Sequence, residues 1–354
     1  MSRIVTHFSL HRIGDTELRV VSDVASGVLP IVVQEEIVIS RYAQQGSWPH
    51  RWVTLFILQD LQPLIRQLGS AADLPPGGAE GLAHRPLVNV YDLADPSGCH
   101  LFVNRQVMEK ESYWDDRMAV QALLAHEHAH PLAENETTLA GRQLTVRIET
   151  SVDQVIAWDE TQTGRVASVS SDLSSRVHRL LSLLVDKLCL YAPRELFANE
   201  MTILSGFGEA LGHLDQLNLA SAVRSVSGRV DLCRQLEAEV ARGGLTPAAA
   251  DLLLLIGDLK GYLDLALEVA PFYRVGQEDR ARELERTLEL DVFPHLKTEV
   301  GRTYAELREE YIALRPDLTV GELRLWVSGV LDTLASALDE KALILEYRLG
   351  VAEE

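Results

Sequence analysis

Cysteine is scarce in this sequence. Its 354 residues include only Cys99, Cys189 and Cys233, which are odd in number, far apart and in no CxxC arrangement. Such usage predicts neither a disulfide framework nor a zinc site built on cysteine thiolates. It is typical of a protein that works in a reducing compartment.

Basic residues are outnumbered by acidic ones. The chain has 33 Lys and Arg against 52 Asp and Glu, which gives a formal net charge of −19. A surface of that sign repels phosphate backbones, so we do not expect nucleic acid as a partner. Hydrophobic residues at 47% and charged residues at 24% are ordinary for a globular protein. The length allows two domains or one elaborated domain.

Long apolar runs are also missing. Residues 1–17 lack the apolar core and the small-residue cleavage site of a secretory signal. The most apolar later stretch, residues 251–270, contains several Asp, Glu and Lys residues, which a membrane span would not tolerate. We therefore expect a soluble cytoplasmic protein without a membrane span.

The first region, residues 1–80, mixes two kinds of periodicity. Residues 17–21 and 29–40 alternate in places between apolar and polar side chains and are predicted strands, whereas residues 53–68 have helical spacing. The cluster Pro75-Pro76-Gly77-Gly78 predicts a linker at the end of this region.

A central region, residues 81–214, and a C-terminal region, residues 215–354, follow. The central region contains a predicted β-hairpin of residues 86–93 and 99–107, joined by a turn-forming Asp-Pro-Ser-Gly segment. The C-terminal region is predicted to be mostly helical, and its amphipathic helices are candidates for self-association. The fold class predicted from these patterns is α+β.

Helical periodicity marks residues 115–130. Their apolar positions recur three and four residues apart and continue to His126, which is typical of one helix face. Asp115 or Asp116 can cap the start of this helix. Pro131 disfavours a helical conformation for the residue before it, so the helix should end there or within a turn.

Residues 126–130 read His-Glu-His-Ala-His and match the pattern HExxH on this predicted helix. Because His126 and His130 are four apart, both imidazoles can reach one tetrahedral zinc ion. Glu127 is then placed to act as the general base that takes a proton from the attacking water. His128 points away from the other two and is expected to be solvated.

A catalytic zinc ion needs a third protein ligand, and Glu195 is preferred. The segment Glu195-Leu196-Phe197-Ala198-Asn199 resembles the ExxA[DN] motif of zincins whose third ligand is a glutamate on a second helix. These gluzincin-like metallopeptidases include the ImmA/IrrE-like and the HtpX/CAAX-protease-like peptidases. The resemblance covers residues 88–207 and implies a zincin-like catalytic core with a small antiparallel sheet. It also implies Glu195 as a ligand and Asn199 as a group that orients a histidine ring.

Another third ligand lies nearer to the motif. The longer metzincin pattern HExxHxxGxxH would place the ligand at Glu136, although Ala133 stands where that pattern has the glycine that turns the chain. Glu195 is preferred over Glu136, and Glu134 follows both.

The resemblance also implies how a substrate binds. In zincins the strand before the active-site helix is an edge strand that pairs with an extended peptide, and residues 100–105 stand in that place. Tyr191 and His213 are weak candidates for stabilising the oxyanion.

Two functions are compatible with these residues. The first is a zinc-dependent metallopeptidase that hydrolyses peptides or proteins with Glu127 as its base. The second is a catalytically silent, zincin-like metal-binding protein that acts as a regulatory or interaction module. The two differ at Glu127, because metal binding needs the histidines but not the base.

Overall fold

The computed structural model describes residues 6–46, 48–69, 78–92, 95–157 and 170–351. The chain forms two compact units. The first runs to Ala133 and includes Met201–Leu214, and the second comprises Glu134–Glu200 and the chain from Asp215 onward. Most of the predicted linker, residues 75–78, lies outside the described residues, and the three sequence regions stay a prediction.

The first unit is built on a five-stranded sheet. Its strands are β1 (His7–Ile13), β2 (Thr16–Ser22), β3 (Trp52–Leu58), β4 (Leu87–Tyr91) and β5 (Gly98–Asn104). Its helices before Ala133 are α1 (Val28–Gln44), α2 (Gln62–Gly69), α3 (Gly78–Ala83), α4 (Arg105–Lys110) and α5 (Arg117–Leu132).

The strands are ordered β1-β2-β3-β5-β4. The central pairs β2/β3 and β3/β5 are parallel, whereas β1/β2 and β4/β5 are antiparallel. The sheet is therefore mixed, and the prediction of a small antiparallel sheet was wrong about the strand directions. The reason is α1, which carries the chain over from β2 to β3, because a parallel neighbour needs a crossover connection.

One face of the sheet is completely buried. The side chains at alternate positions of the three central strands have no exposed surface: Leu18 and Val20 on β2, Val53, Leu55 and Ile57 on β3, and Cys99, Leu101 and Val103 on β5. On the opposite face, Phe56 and Phe102 stack in parallel with ring centroids 4.8 Å apart. They pack against the cluster of Leu58, Leu61, Ile65 and Ala83. This second face is partly buried, and packing on both sides accounts for the apolar character of β3 and β5.

Two predictions for the first region were wrong in type or extent. Residues 29–40 are not a strand but lie within α1, whose buried positions recur every three or four residues. Their β-branched side chains favour a strand locally, but packing of a helical stripe overrides that preference. The helical spacing of residues 53–68 covers strand β3 and helix α2, because fully buried strands lack the alternation that separates them from helices.

The second unit is mostly helical. Its helices are α6 (Glu136–Gln143), α7 (Ser170–Val185), α8 (Ala192–Thr202), α9 (Gly208–Ala241), α10 (Pro247–Tyr262), α11 (Ala266–Arg274), α12 (Glu278–Thr287), α13 (Thr298–Ala313) and α14 (Val320–Asp339). Helices α8 and α9 each extend across the boundary, since Met201–Leu214 belong to the first unit. Strands β6 (Leu144–Ser151) and β7 (Ile344–Val351) form an antiparallel pair in the second unit.

The predicted α+β class and the predicted helical C-terminal region are confirmed, with β7 as a final strand. Within the described residues, no helix combines the length and the apolar character that crossing a membrane requires.

Candidate metal centre

Helix α5 carries the His-Glu-His-Ala-His motif, as its periodicity predicts. The Asp116 carboxylate caps it by accepting hydrogen bonds from the backbone N–H groups of Met118 at 2.9 Å and Ala119 at 3.0 Å. His213 Nε2 lies 2.7 Å from the same carboxylate. Partial burial would raise the pKa of Asp116, but these hydrogen bonds outweigh it and the pKa is lowered. Of the two predicted caps, Asp116 is the one that forms.

Pro131 lies inside the last turn of α5, which continues to Leu132. Because proline has no N–H, it cannot donate the helical hydrogen bond to the carbonyl four residues earlier, which is that of Glu127. The Asn89 side chain on β4 donates to this carbonyl instead, at 2.9 Å. Asn89 thereby links an outer strand of the sheet to the backbone of the predicted general base.

Replacing Asn89 with alanine should lower the free energy of unfolding by about 1–3 kcal/mol, because the Glu127 carbonyl loses the hydrogen bond from this side chain. In a Pro131→Ala background the loss should be smaller, since the new backbone N–H can donate to the same carbonyl. Urea unfolding of the two single variants and the double variant measures this coupling. An equal loss in both backgrounds would show that Asn89 does not act through this carbonyl.

His126 and His130 lie on the same side of α5. Their ring centroids are 4.7 Å apart, and the rings are nearly perpendicular, at 78°. His130 is buried, whereas His126 and Glu127 are partly exposed. Four residues on a helix bring two side chains about one turn apart on one face, so the predicted convergence of the two imidazoles is observed.

Glu195 lies in the first turn of α8 and belongs to the second unit, whereas His126 and His130 belong to the first. Its role as the third ligand stays a prediction, as does that of Glu136. Glu136 follows the capping residue Asn135 at the start of α6.

The other carboxylate and amide candidates have partners of their own. Glu134 accepts a hydrogen bond from Arg142 Nη2 at 2.6 Å, and its burial raises its pKa despite the arginines near it. Asn199 is buried, and its Nδ2 donates to the Leu267 carbonyl at 3.1 Å. Its predicted role in orienting a histidine ring stays a prediction. Of the two oxyanion candidates, Tyr191 is exposed and His213 bonds to Asp116.

His128 is not solvated, contrary to the expectation from the sequence. Its side chain is completely buried, and its Nε2 lies 2.7 Å from Glu35 Oε1 on α1. A residue two positions from His126 projects about 200° around the helix, so His128 does point away from the other two histidines. It points into the protein because helix α5 packs against α1 on that side, where Tyr42 donates to the Ala125 carbonyl at 2.9 Å.

The strand predicted to bind a peptide is not an edge strand. Residues 100–104 lie in β5, which has β3 on one side and β4 on the other. The edge is β4, because the hairpin folds back and adds this strand outside β5. The hairpin was predicted, but the strand order was not, since sequence spacing does not reveal which hairpin strand pairs with the rest of the sheet.

A second group of potential ligands consists of His50, Cys99 and His128, all buried. Burial and the nearby His128 lower the pKa of His50 to about 4. Burial and Glu35 raise the pKa of the Cys99 thiol. Sequence reasoning missed this group, because residues 50, 99 and 128 form no ligand motif along the chain.

No protein-family model, no curated protein and no solved structure matches this chain.

Proposed function

We propose that this protein is a zinc-dependent metallopeptidase. The observation that carries the proposal is the pair of imidazoles of His126 and His130, 4.7 Å apart on one side of α5. Glu127 adjoins the first of them, as in the HExxH pattern. The sequence motif and the arrangement of the two imidazoles support the same chemistry, which is metal-assisted hydrolysis.

The chemistry of the donor set fits a zinc ion. Two imidazole nitrogens and one carboxylate oxygen are the ligand types of a catalytic zinc site with an open fourth position. His126, His130 and Glu195 would hold the ion. When bound, zinc supplies Lewis acidity and a water molecule whose pKa is lowered towards neutrality.

Glu127 would serve as the proton carrier. Its carboxylate takes a proton from the attacking water and passes it to the amine that leaves when the peptide bond breaks. Its backbone is held by the Asn89 hydrogen bond to its carbonyl, and this contact limits how far the residue can move away from the substrate.

Strand β4 would bind the substrate in an extended conformation. It is the terminal strand of the sheet, so its outer side has no strand partner in the described part of the chain. The backbone groups on that side can pair with a peptide by β-augmentation. Val90 on β4 is about half exposed, and Asn89 ties the strand to Glu127, so a peptide paired here would pass close to the proposed base.

Metal content measured on purified variants tests the ligand set. We expect the wild-type chain to contain zinc at this centre and His126→Ala to lose it, because two remaining ligands hold the ion too weakly. Glu195→Gln should weaken zinc binding, whereas the matched Glu136→Gln should leave it unchanged. Loss of zinc in Glu136→Gln with retention in Glu195→Gln would reverse the choice of third ligand. Zinc content unaffected by His126→Ala would reject this centre.

A further inference from the structure

Three buried side chains of the first unit come together on the side of α5 opposite to His126 and His130. His50 lies just before β3, Cys99 is on β5 and His128 is on α5. Each offers one ligand atom, and the three atoms all lie within 4.8 Å of one another. The exposed fractions are 2% for His50 and zero for Cys99 and His128.

Each imidazole in this group uses one ring nitrogen and leaves the other without a partner. His50 Nδ1 lies 2.7 Å from the Pro96 carbonyl oxygen, and His128 Nε2 lies 2.7 Å from Glu35 Oε1. His50 Nε2 and His128 Nδ1 are buried and have no hydrogen-bond partner among the described residues. A buried polar atom without a partner destabilises the fold, so two in one place call for a physical reason.

This arrangement is typical of histidines that bind a metal ion. Such a histidine nearly always donates its second ring N–H to a backbone carbonyl or a carboxylate, which fixes the tautomer and the ring orientation. Here the Pro96 carbonyl and the Glu35 carboxylate are those two kinds of acceptor. The other ring nitrogens, His50 Nε2 and His128 Nδ1, are then unprotonated, and each can donate a lone pair to a metal ion.

We propose that His50 Nε2, His128 Nδ1 and the Cys99 thiolate bind a second zinc ion, buried within the first unit. Two imidazoles and one thiolate are ligands that zinc prefers. Glu35 Oε1 stays bonded to His128 Nε2, the ring nitrogen on the far side from the ion, so this carboxylate orients the imidazole and is not itself a ligand. On binding, the Cys99 S–H bond gives way to a sulfur–zinc bond, and the proton is released to solvent.

The charges of this site balance. A divalent cation, the Cys99 thiolate and the Glu35 carboxylate sum to a formally neutral group, and an uncompensated buried charge would be costly. The Trp48 ring packs edge-on against both imidazoles, with ring centroids 4.9 Å from each. The three ligands are at most 2% exposed, and a closed, buried site is typical of structural zinc. The site is therefore assigned a stabilising role in holding α1, α5 and the sheet together.

Cobalt substitution distinguishes this site from the His126 centre, because only one of them contains sulfur. The full chain produced in cobalt-supplemented medium should show a thiolate-to-cobalt charge-transfer band. Cys99→Ser should abolish the band, whereas the matched controls Cys189→Ser and Cys233→Ser should retain it. Absence of the band in the wild-type chain, or its survival in Cys99→Ser, would overturn the proposal.

X-ray absorption at the zinc edge gives a test that needs no change in the buried cluster. The zinc-loaded wild-type chain should show a sulfur neighbour at about 2.3 Å. In His126→Ala the sulfur contribution per zinc ion should rise, since the sulfur-free centre is emptied. If the proposed peptidase centre binds no metal, the sulfur signal remains and only that proposal fails. A zinc shell without sulfur in both proteins would reject the buried site.

Discussion

Replacing Glu127 with glutamine is expected to lower kcat/KM for peptide hydrolysis by roughly 10²–10⁴-fold, the range that a positioned general base contributes. Glutamine has nearly the same shape as glutamate but cannot accept the proton from the attacking water. The ligands His126 and His130 are unchanged, so zinc content should equal that of the wild-type chain. Steady-state cleavage of a peptide library and metal analysis of the same preparations measure both quantities.

The control for this variant is Glu109→Gln on the exposed side of α4, which removes the same charge from the ion pair with Arg105. Its activity should match that of the wild-type chain. The metal-binding regulatory module is the better description if the Glu127→Gln variant retains zinc and neither this variant nor the wild-type chain cleaves any peptide. Hydrolysis that is equal in variant and wild type would remove Glu127 from the mechanism.

The largest loss of stability in the second unit is expected from Asp258→Ala. Asp258 on α10 is 2% exposed, and Arg229 on α9 donates to both of its oxygens, from Nε at 2.8 Å and from Nη2 at 2.9 Å. Removing one partner of a buried ion pair leaves the other charge uncompensated and costs about 3–5 kcal/mol. The free energy of unfolding in urea measures the loss.

An exposed pair on α9, the helix that carries Arg229, provides the comparison for Asp258. Arg234 and Asp231 are 3.1 Å apart, and both side chains are about 70% exposed. Asp231→Ala should cost less than about 0.5 kcal/mol, because solvent screens such pairs. The combined change Asp258→Leu and Arg229→Met should recover much of the loss, since no buried charge remains. A loss as large in this double variant as in Asp258→Ala would contradict the argument.

The parts of the fold that depend on neighbouring residues were predictable from the sequence. The motif helix α5, its cap at Asp116 and the β4/β5 hairpin follow from local periodicity and from turn and capping chemistry. Residues 29–40 were misassigned as a strand, because β-branched side chains favour strands locally whereas the buried stripe of α1 is formed by tertiary packing.

The candidate peptidase centre also has one part that follows from local sequence and one part that depends on the tertiary structure. His126, Glu127 and His130 are set by the spacing of one helix, so the sequence alone specifies their relation. The third ligand requires a segment that is distant along the chain. The sequence therefore left a choice between Glu195 and Glu136, because helical spacing relates neither of them to the two histidines.

An acidic α+β chain with one helix that bears an HExxH motif follows from the sequence alone. The sequence also suggested that no cysteine takes part in metal binding, because it contains no CxxC spacing. Tertiary structure, through the pairing of β3 with β5 and the packing of α5, brings Cys99 close to His50 and His128. Helical spacing relates residues that are one turn apart along the chain. Sheet pairing and core packing bring together residues that are distant along the chain and that no local pattern connects.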